Sequence, residues 1–112
     1  MLAGAAPGRS YLVGAEHVVA KESDRKAETA RLVRSMGARV TEAEGGLAID
    51  GTLHPRPIRL RAIHDHRIVM SAAVAATVAN GPSAIEDARA VGKSYPGFFE
   101  AIRGLGVEVS VR

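Results

Sequence analysis

Ser23-Asp24-Arg25-Lys26-Ala27-Glu28-Thr29-Ala30-Arg31-Leu32-Val33-Arg34-Ser35-Met36-Gly37-Ala38-Arg39-Val40 changes its hydrophobic period part-way, and that change sets the architecture. Ala27, Ala30, Val33 and Met36, with Leu32 beside them, recur at three- and four-residue steps and so share one face of a helix. Ser23 suits the N-cap, and Asp24 suits a first turn, where a carboxylate meets the positive end of the helix dipole. Gly37 suits the left-handed position just past a helix C-terminus. The spacing therefore predicts a helix over 23–36. Ala38–Ala43 then alternates as a strand, Glu44-Gly45-Gly46 turns, and Leu47–Asp50 returns to form a hairpin.

Before it, residues 1–9 are rich in Ala, Gly and Pro and read as a start cut into the middle of something or as a loose lead-in, while Ser10–Gly14 reads as a short strand. His17–Ala20 is a second extended run. After a loop over 51–57, Ile58–Ile63 alternates again. Asp65 then caps a helix to about Ala79, apolar nearly all round and hence buried, which Asn80-Gly81-Pro82 ends. Ser83–Asp87 reads as a strand. Ser94 is a candidate cap for a third helix, with Pro96 in its first turn and Phe98, Phe99, Ile102 and Leu105 on its inner face. Gly106 ends that helix, and Val107, Val109 and Val111 alternate as a last strand.

Two of these units resemble each other. Leu32–Val40 aligns with Ala101–Val109 at an offset of 69 residues, each with Arg, then a large apolar residue, then Gly, then an extended run. A repeated helix–glycine–strand unit implies one supersecondary design used more than once.

Hydrophobic residues make up 46% of the 112, but Ala and Val dominate, and the only aromatics are Tyr11, Tyr95, Phe98 and Phe99. Small side chains bury little area each, so the core is modest. Cys is absent, which excludes disulfides and thiolate metal sites. No apolar run approaches the roughly 18 residues of a membrane span, and Met1-Leu2-Ala3-Gly4 does not open like a signal peptide. The expectation is a cytoplasmic chain that uses no membrane. Fifteen Lys and Arg against 12 Asp and Glu favour an anionic partner, yet no basic block or stacking-aromatic signature points to nucleic acid.

The chemistry concentrates at helix starts. Arg25, Arg67 and Lys93 each stand in or beside a predicted first turn, where the dipole is already positive, and Lys21 adds a fourth cation. A bound anion reconciles them, since backbone N–H groups and guanidinium forks can converge on it. For any one of them the plain alternative is solvation or an ion pair with Glu22, Asp24 or Asp65. Glu22, between Lys21 and Arg25, is held ionised by that field. An anion in the site would offset the field and let Glu22 act as a general acid–base group. His64-Asp65-His66, with His17 and His54, raises a metal reading, but Asp65 serves better as a cap and no metal is expected. Neither Gly-rich phosphate-loop spacing occurs.

Lys21-Glu22-Ser23-Asp24-Arg25, Asp65-His66-Arg67 and Lys93-Ser94-Tyr95-Pro96-Gly97-Phe98-Phe99-Glu100 together resemble the C-terminal part of the EPSP synthase family (3-phosphoshikimate 1-carboxyvinyltransferases), from about Ser10 to the end. The resemblance implies an α+β fold of βαβαββ units, the enolpyruvyl transferase fold, with helices packed on mixed four-stranded sheets. Residues 10–112 would be the C-terminal part of the C-terminal domain. It also implies transfer of enolpyruvyl from phosphoenolpyruvate (PEP) to shikimate 3-phosphate, with release of phosphate and no cofactor. By matched position Glu22 would protonate the PEP methylene carbon, Lys21 would contact shikimate 3-phosphate, and Arg25, Arg67 and Lys93 would hold PEP. His17 matches a possible shikimate contact.

The family's N-terminal domain, a further PEP-binding Arg and an Asp base have no counterpart in this sequence, so the chain alone is expected to be inactive and to need that other part. Two other readings remain at this point. One is a non-catalytic anion-binding or structural module that self-associates as a homodimer or by domain swapping through open sheet edges. The other is an RNA-binding relative of the RNA 3′-phosphate cyclases, which the three motifs disfavour.

Overall fold

The helix built on Ala30, Val33 and Met36 is also the centre of the molecule, because its two sides face two different cores. A computed structural model describes residues 1–14, 24–43 and 45–110. His17, Lys21, Glu22 and Ser23, like Val111, lie outside the described residues. The elements run α1 (Leu2–Ala5), β1 (Arg9–Val13), α2 (Arg25–Ser35), β2 (Arg39–Ala43), β3 (Gly46–Asp50), β4 (Arg59–Leu60), α3 (His66–Ala76), β5 (Ala84–Ile85), a 3₁₀ helix (Ala88–Lys93) and α4 (Phe98–Gly104).

On one side, α2 presents Ala30 and Val33 to Ala38 and to Leu47 and Ile49 of an antiparallel sheet ordered β1-β3-β2. On the other it presents Leu32 and Met36 to a larger core of Ile58, Leu60, Ile68, Val69, Ala72, Phe98 and Ile102. The predicted hairpin is β2–β3, in register from Arg39↔Asp50 to Ala43↔Gly46. β4 and β5 pair in parallel, Arg59↔Ala84 and Leu60↔Ile85, so β4-α3-β5 is a crossover unit. The α+β class is as expected, and among the described residues its sheets are one of three strands and one of two.

Several boundaries differ from the sequence reading, each for a physical reason. The first helix starts at Arg25 rather than Ser23, because the Asp24 carboxylate accepts the Ala27 N–H at 3.1 Å and makes Asp24 the cap. Ala27, in that first turn, is exposed. The second helix stops at Ala76. Thr77, Val78 and Ala79 continue it only through tighter bonds to Val74, Ala75 and Ala76 carbonyls.

Ser94 caps no helix: it terminates the 3₁₀ helix, and α4 begins at Phe98 with Gly97 as a cap that has no side chain to offer. Pro96 drives the residue before it out of helical geometry, so a helix could not run through Tyr95. Leu105, expected inside, is exposed because α4 ends at Gly104. The lead-in is packed rather than loose. Residues 2–5 are helical, and the Thr52 N–H donates to the Gly4 carbonyl at 2.8 Å.

The internal repeat is real at the level of hydrogen bonds. Gly37 and Gly106 take φ of +99° and +93°, a region in which L side chains are strained. Each donates its N–H to an arginine carbonyl three residues back, Arg34 and Arg103, at 2.9 Å. Each arginine then reaches forward to the next extended segment: Arg34 Nη2 to the Val40 carbonyl at 2.8 Å, and Arg103 Nε to the Val109 carbonyl at 3.1 Å. Beyond the glycine the two units diverge. β2 finds β3, whereas Val107–Ser110, predicted as a strand, has no ladder partner among the described residues.

Candidate functional site

Three of the five residues expected to form the site lie among the described residues: Arg25, Arg67 and Lys93. Arg25 is the first residue of α2, and Arg67 the second of α3. Asp65 caps α3 as expected, its Oδ1 accepting the Arg67 N–H at 3.0 Å. The same carboxylate takes a second partner. Arg25 Nε donates to Asp65 Oδ2 at 3.0 Å and Arg25 Nη2 approaches Oδ1 at 3.5 Å. Asp65 is fully buried and the Arg25 side chain is 15% exposed. So the N-termini of α2 and α3 meet at a buried ion pair, and two of the expected cations stand at one corner.

This geometry modifies the expectation in two ways. Arg25 is not a bare cation awaiting an anion; it has the ion-pair partner that the plain alternative offered, while Arg67 is exposed beside it. Lys93 is not at a helix N-terminus. It is the last residue of the 3₁₀ helix, a favourable end for a cation, and that helix packs against α3. The convergence of three helix N-termini therefore reduces to two N-termini, α2 and α3, while the 3₁₀ helix that ends in Lys93 packs against the same α3. Lys21 and Glu22 lie outside the described residues, next to Asp24 in sequence.

Around this corner the backbone is unusual. His64 and Asp87 both have positive φ, 53° and 58°, and face each other with Nδ1 and Oδ2 2.6 Å apart. They join the loops after the parallel strands β4 and β5. The Ala62 N–H, donating to the Glu86 carboxylate at 3.1 Å, ties the same loops together. Left-handed backbone at non-glycine residues persists only where surrounding contacts hold it. His64-Asp65-His66 thus splits its duties: His64 to Asp87, Asp65 to Arg25 and the α3 cap, His66 into the interior. An open groove that shares Glu86 and Asp87 with these loops, walled by Ile85, Phe99, Ile102, Val107 and Val109, is lined by none of Arg25, Asp65, Arg67 or Lys93.

The model of the EPSP synthase (3-phosphoshikimate 1-carboxyvinyltransferase) family matches residues 1–102. The chain belongs to the EPSP synthase family. Among curated EPSP synthases, the 3-phosphoshikimate 1-carboxyvinyltransferase of Methanothrix thermoacetophila is 46% identical over 109 residues, covering 97% of this chain and 25% of the relative. That of Thermococcus kodakarensis is 44% identical over 105 residues, 94% and 26% of the two chains. A solved EPSP synthase structure from Acinetobacter baumannii superposes with a TM-score of 0.82 at 32% identity, over 91% of this chain and 24% of that one. The chain thus spans about a quarter of the length of the EPSP synthases it matches. No helix among the described residues is long and apolar enough to cross a membrane.

Proposed function

We propose that the chain forms one wall of the active site of a 3-phosphoshikimate 1-carboxyvinyltransferase, the wall that grips phosphoenolpyruvate. The observation carrying this reading is the Arg25–Asp65 bond, through which the first turns of α2 and α3 share one corner. Arg25 and Arg67 there offer guanidinium groups to a carboxylate or phosphate at the positive ends of two helix dipoles. Lys93 is the third PEP contact in this reading, and Lys21 the contact to shikimate 3-phosphate.

In the reaction, Glu22 in its acid form gives a proton to the PEP methylene carbon. As its proton passes to a base on the far wall of the site, the 5-hydroxyl oxygen of shikimate 3-phosphate bonds to the neighbouring carbon and yields a tetrahedral intermediate. Loss of phosphate and of a methyl proton then regenerates the enol ether, with Glu22 as carboxylate suited to take that proton. The dianionic neighbourhood of bound substrates offsets the field of Lys21 and Arg25, which favours the protonated form Glu22 needs at the start. Catalysis requires groups on the far side of the substrates in productive geometry, and the sequence of this chain provides one side.

The test is a PEP titration of the ¹⁵N-labelled chain. Shifts of Arg25, Arg67 and Lys93 signals at millimolar PEP are expected, and unmoved signals would overturn the site. The chain alone should release no phosphate from PEP and shikimate 3-phosphate, while turnover by it alone would refute the one-wall assignment. Self-association, the remaining expectation about partners, is supported by β1, which among the described residues is an edge strand and exposes Tyr11, Leu12 and Val13. Light scattering that finds only monomer would remove it.

A further inference from the structure

We infer that Asp65 is a positioning residue of the anion site, beyond its role as a helix cap; the inference rests on the PEP-binding reading above. A buried arginine side chain has many rotamers and pays for ordering when it binds a ligand, unless something has already fixed it. Asp65 does so from below. Its two oxygens engage Nε and Nη2, along one edge of the planar guanidinium. That edge-on contact uses Nε and one Nη2 hydrogen and leaves Nη1 and the second Nη2 hydrogen unengaged by Asp65, and these form the end-on fork that matches a carboxylate or phosphate with two parallel contacts.

Oδ1 also accepts the Arg67 N–H, so one carboxylate sets both the guanidinium of α2 and the first turn of α3 that carries Arg67. The negative charge lies behind the arginine and against the positive end of the α3 dipole, and both offset its repulsion of an anionic ligand. Aspartate is the residue that meets both demands, because capping needs one acceptor oxygen and the arginine edge needs a charged pair.

Asn and Ser cap helices about as well as Asp, so Asp65→Asn and Asp65→Ser keep the α3 cap and remove the charged edge contact. In PEP titrations of the chain followed by NMR, both variants should bind PEP at least about tenfold more weakly than wild type. The Arg25 Nε–H resonance should lose its slow exchange, while the Arg67 amide keeps its capped shift. Asp24→Asn, which alters a neighbouring cap and not the pair, should leave the PEP Kd within about twofold. A wild-type Arg25 Nε–H without exchange protection would overturn the clamp irrespective of how the variants fold. PEP affinity unchanged or tightened in Asp65→Asn and Asp65→Ser, with wild type binding, would overturn positioning and leave the PEP site standing. No response of wild type to PEP would sink the site reading and this inference together.

Discussion

Two arginine–aspartate pairs join elements 41 and 40 residues apart, and burial alone makes them different objects. Arg9 and Asp50 form two bonds of 2.8 Å across the β1–β3 ladder, with better distances than the other pair, but both side chains are exposed. Arg25 and Asp65 have the looser geometry and almost no solvent. In water the first pair gains little, because each charge gives up hydration and side-chain freedom for a screened attraction. In the interior the second pair is weak evidence of net stability too, yet loss of one partner strands a buried charge. Distance therefore ranks the pairs one way and consequence ranks them the other.

The largest effect should come from Asp65→Ala. It uncaps α3 and leaves Arg25 buried without its carboxylate, and a cost of about 3–5 kcal/mol is expected in urea unfolding. A loss of about 1 kcal/mol or less would show that Arg25 swings out to water and that the pair is dispensable. Asp24→Ala comes next. It removes a cap with no ion pair attached, so its expected cost of about 1 kcal/mol isolates the capping share of the Asp65 effect.

Smallest of all should be Arg9→Ala and Asp50→Asn, close to the error of an unfolding measurement and smaller still in about 1 M salt, where the Debye length is about 3 Å. A larger loss there than at Asp65 would invert the comparison. The exposed pair should still be visible in a titration. The hydrogen bond from Arg9, aided by its charge, holds the Asp50 carboxyl below the usual carboxylate range. Because the folded-state value is the lower one, whatever the pair contributes is present above the ordinary carboxylate pKa and is lost as pH falls through the lowered value. A ¹³C titration of the Asp50 carboxyl reads this directly, and a midpoint at or above the ordinary value would deny the bond in solution.

The sequence was most legible where a single local rule decided the outcome. Asp65 precedes an apolar helix and caps it, and Gly37 and Gly106 take the left-handed turn that ends their helices. It misled where a neighbour in the chain vetoed a good candidate: Ser94 is a fine capping residue, but Pro96 comes too soon after it. It misled again where alternation suggested pairing. Val107 and Val109 alternate like the Ala38–Ala43 run, and among the described residues only that run finds a strand to bond. At the site, the residue types and their order were legible, and so was membership of the EPSP synthase family. The position of Lys93 at a helix C-terminus was not, because a 3₁₀ turn has little hydrophobic signature of its own.

By itself the sequence determined the helical faces, the caps at Asp65 and the two glycine turns, the β2–β3 hairpin and the three motifs of the family. These depend on neighbours a few residues away, whose sterics and hydrogen bonds act whatever the rest of the chain does. Only the tertiary structure decided which carboxylate Arg25 would meet. Asp24 and Asp65 were both candidates from the sequence, and nothing local distinguishes them as partners. The packing of α2 on α3 does, because it buries Asp65 completely beside Arg25 and a buried carboxylate has to be paired. Asp24, left at the surface, needed only the Ala27 amide.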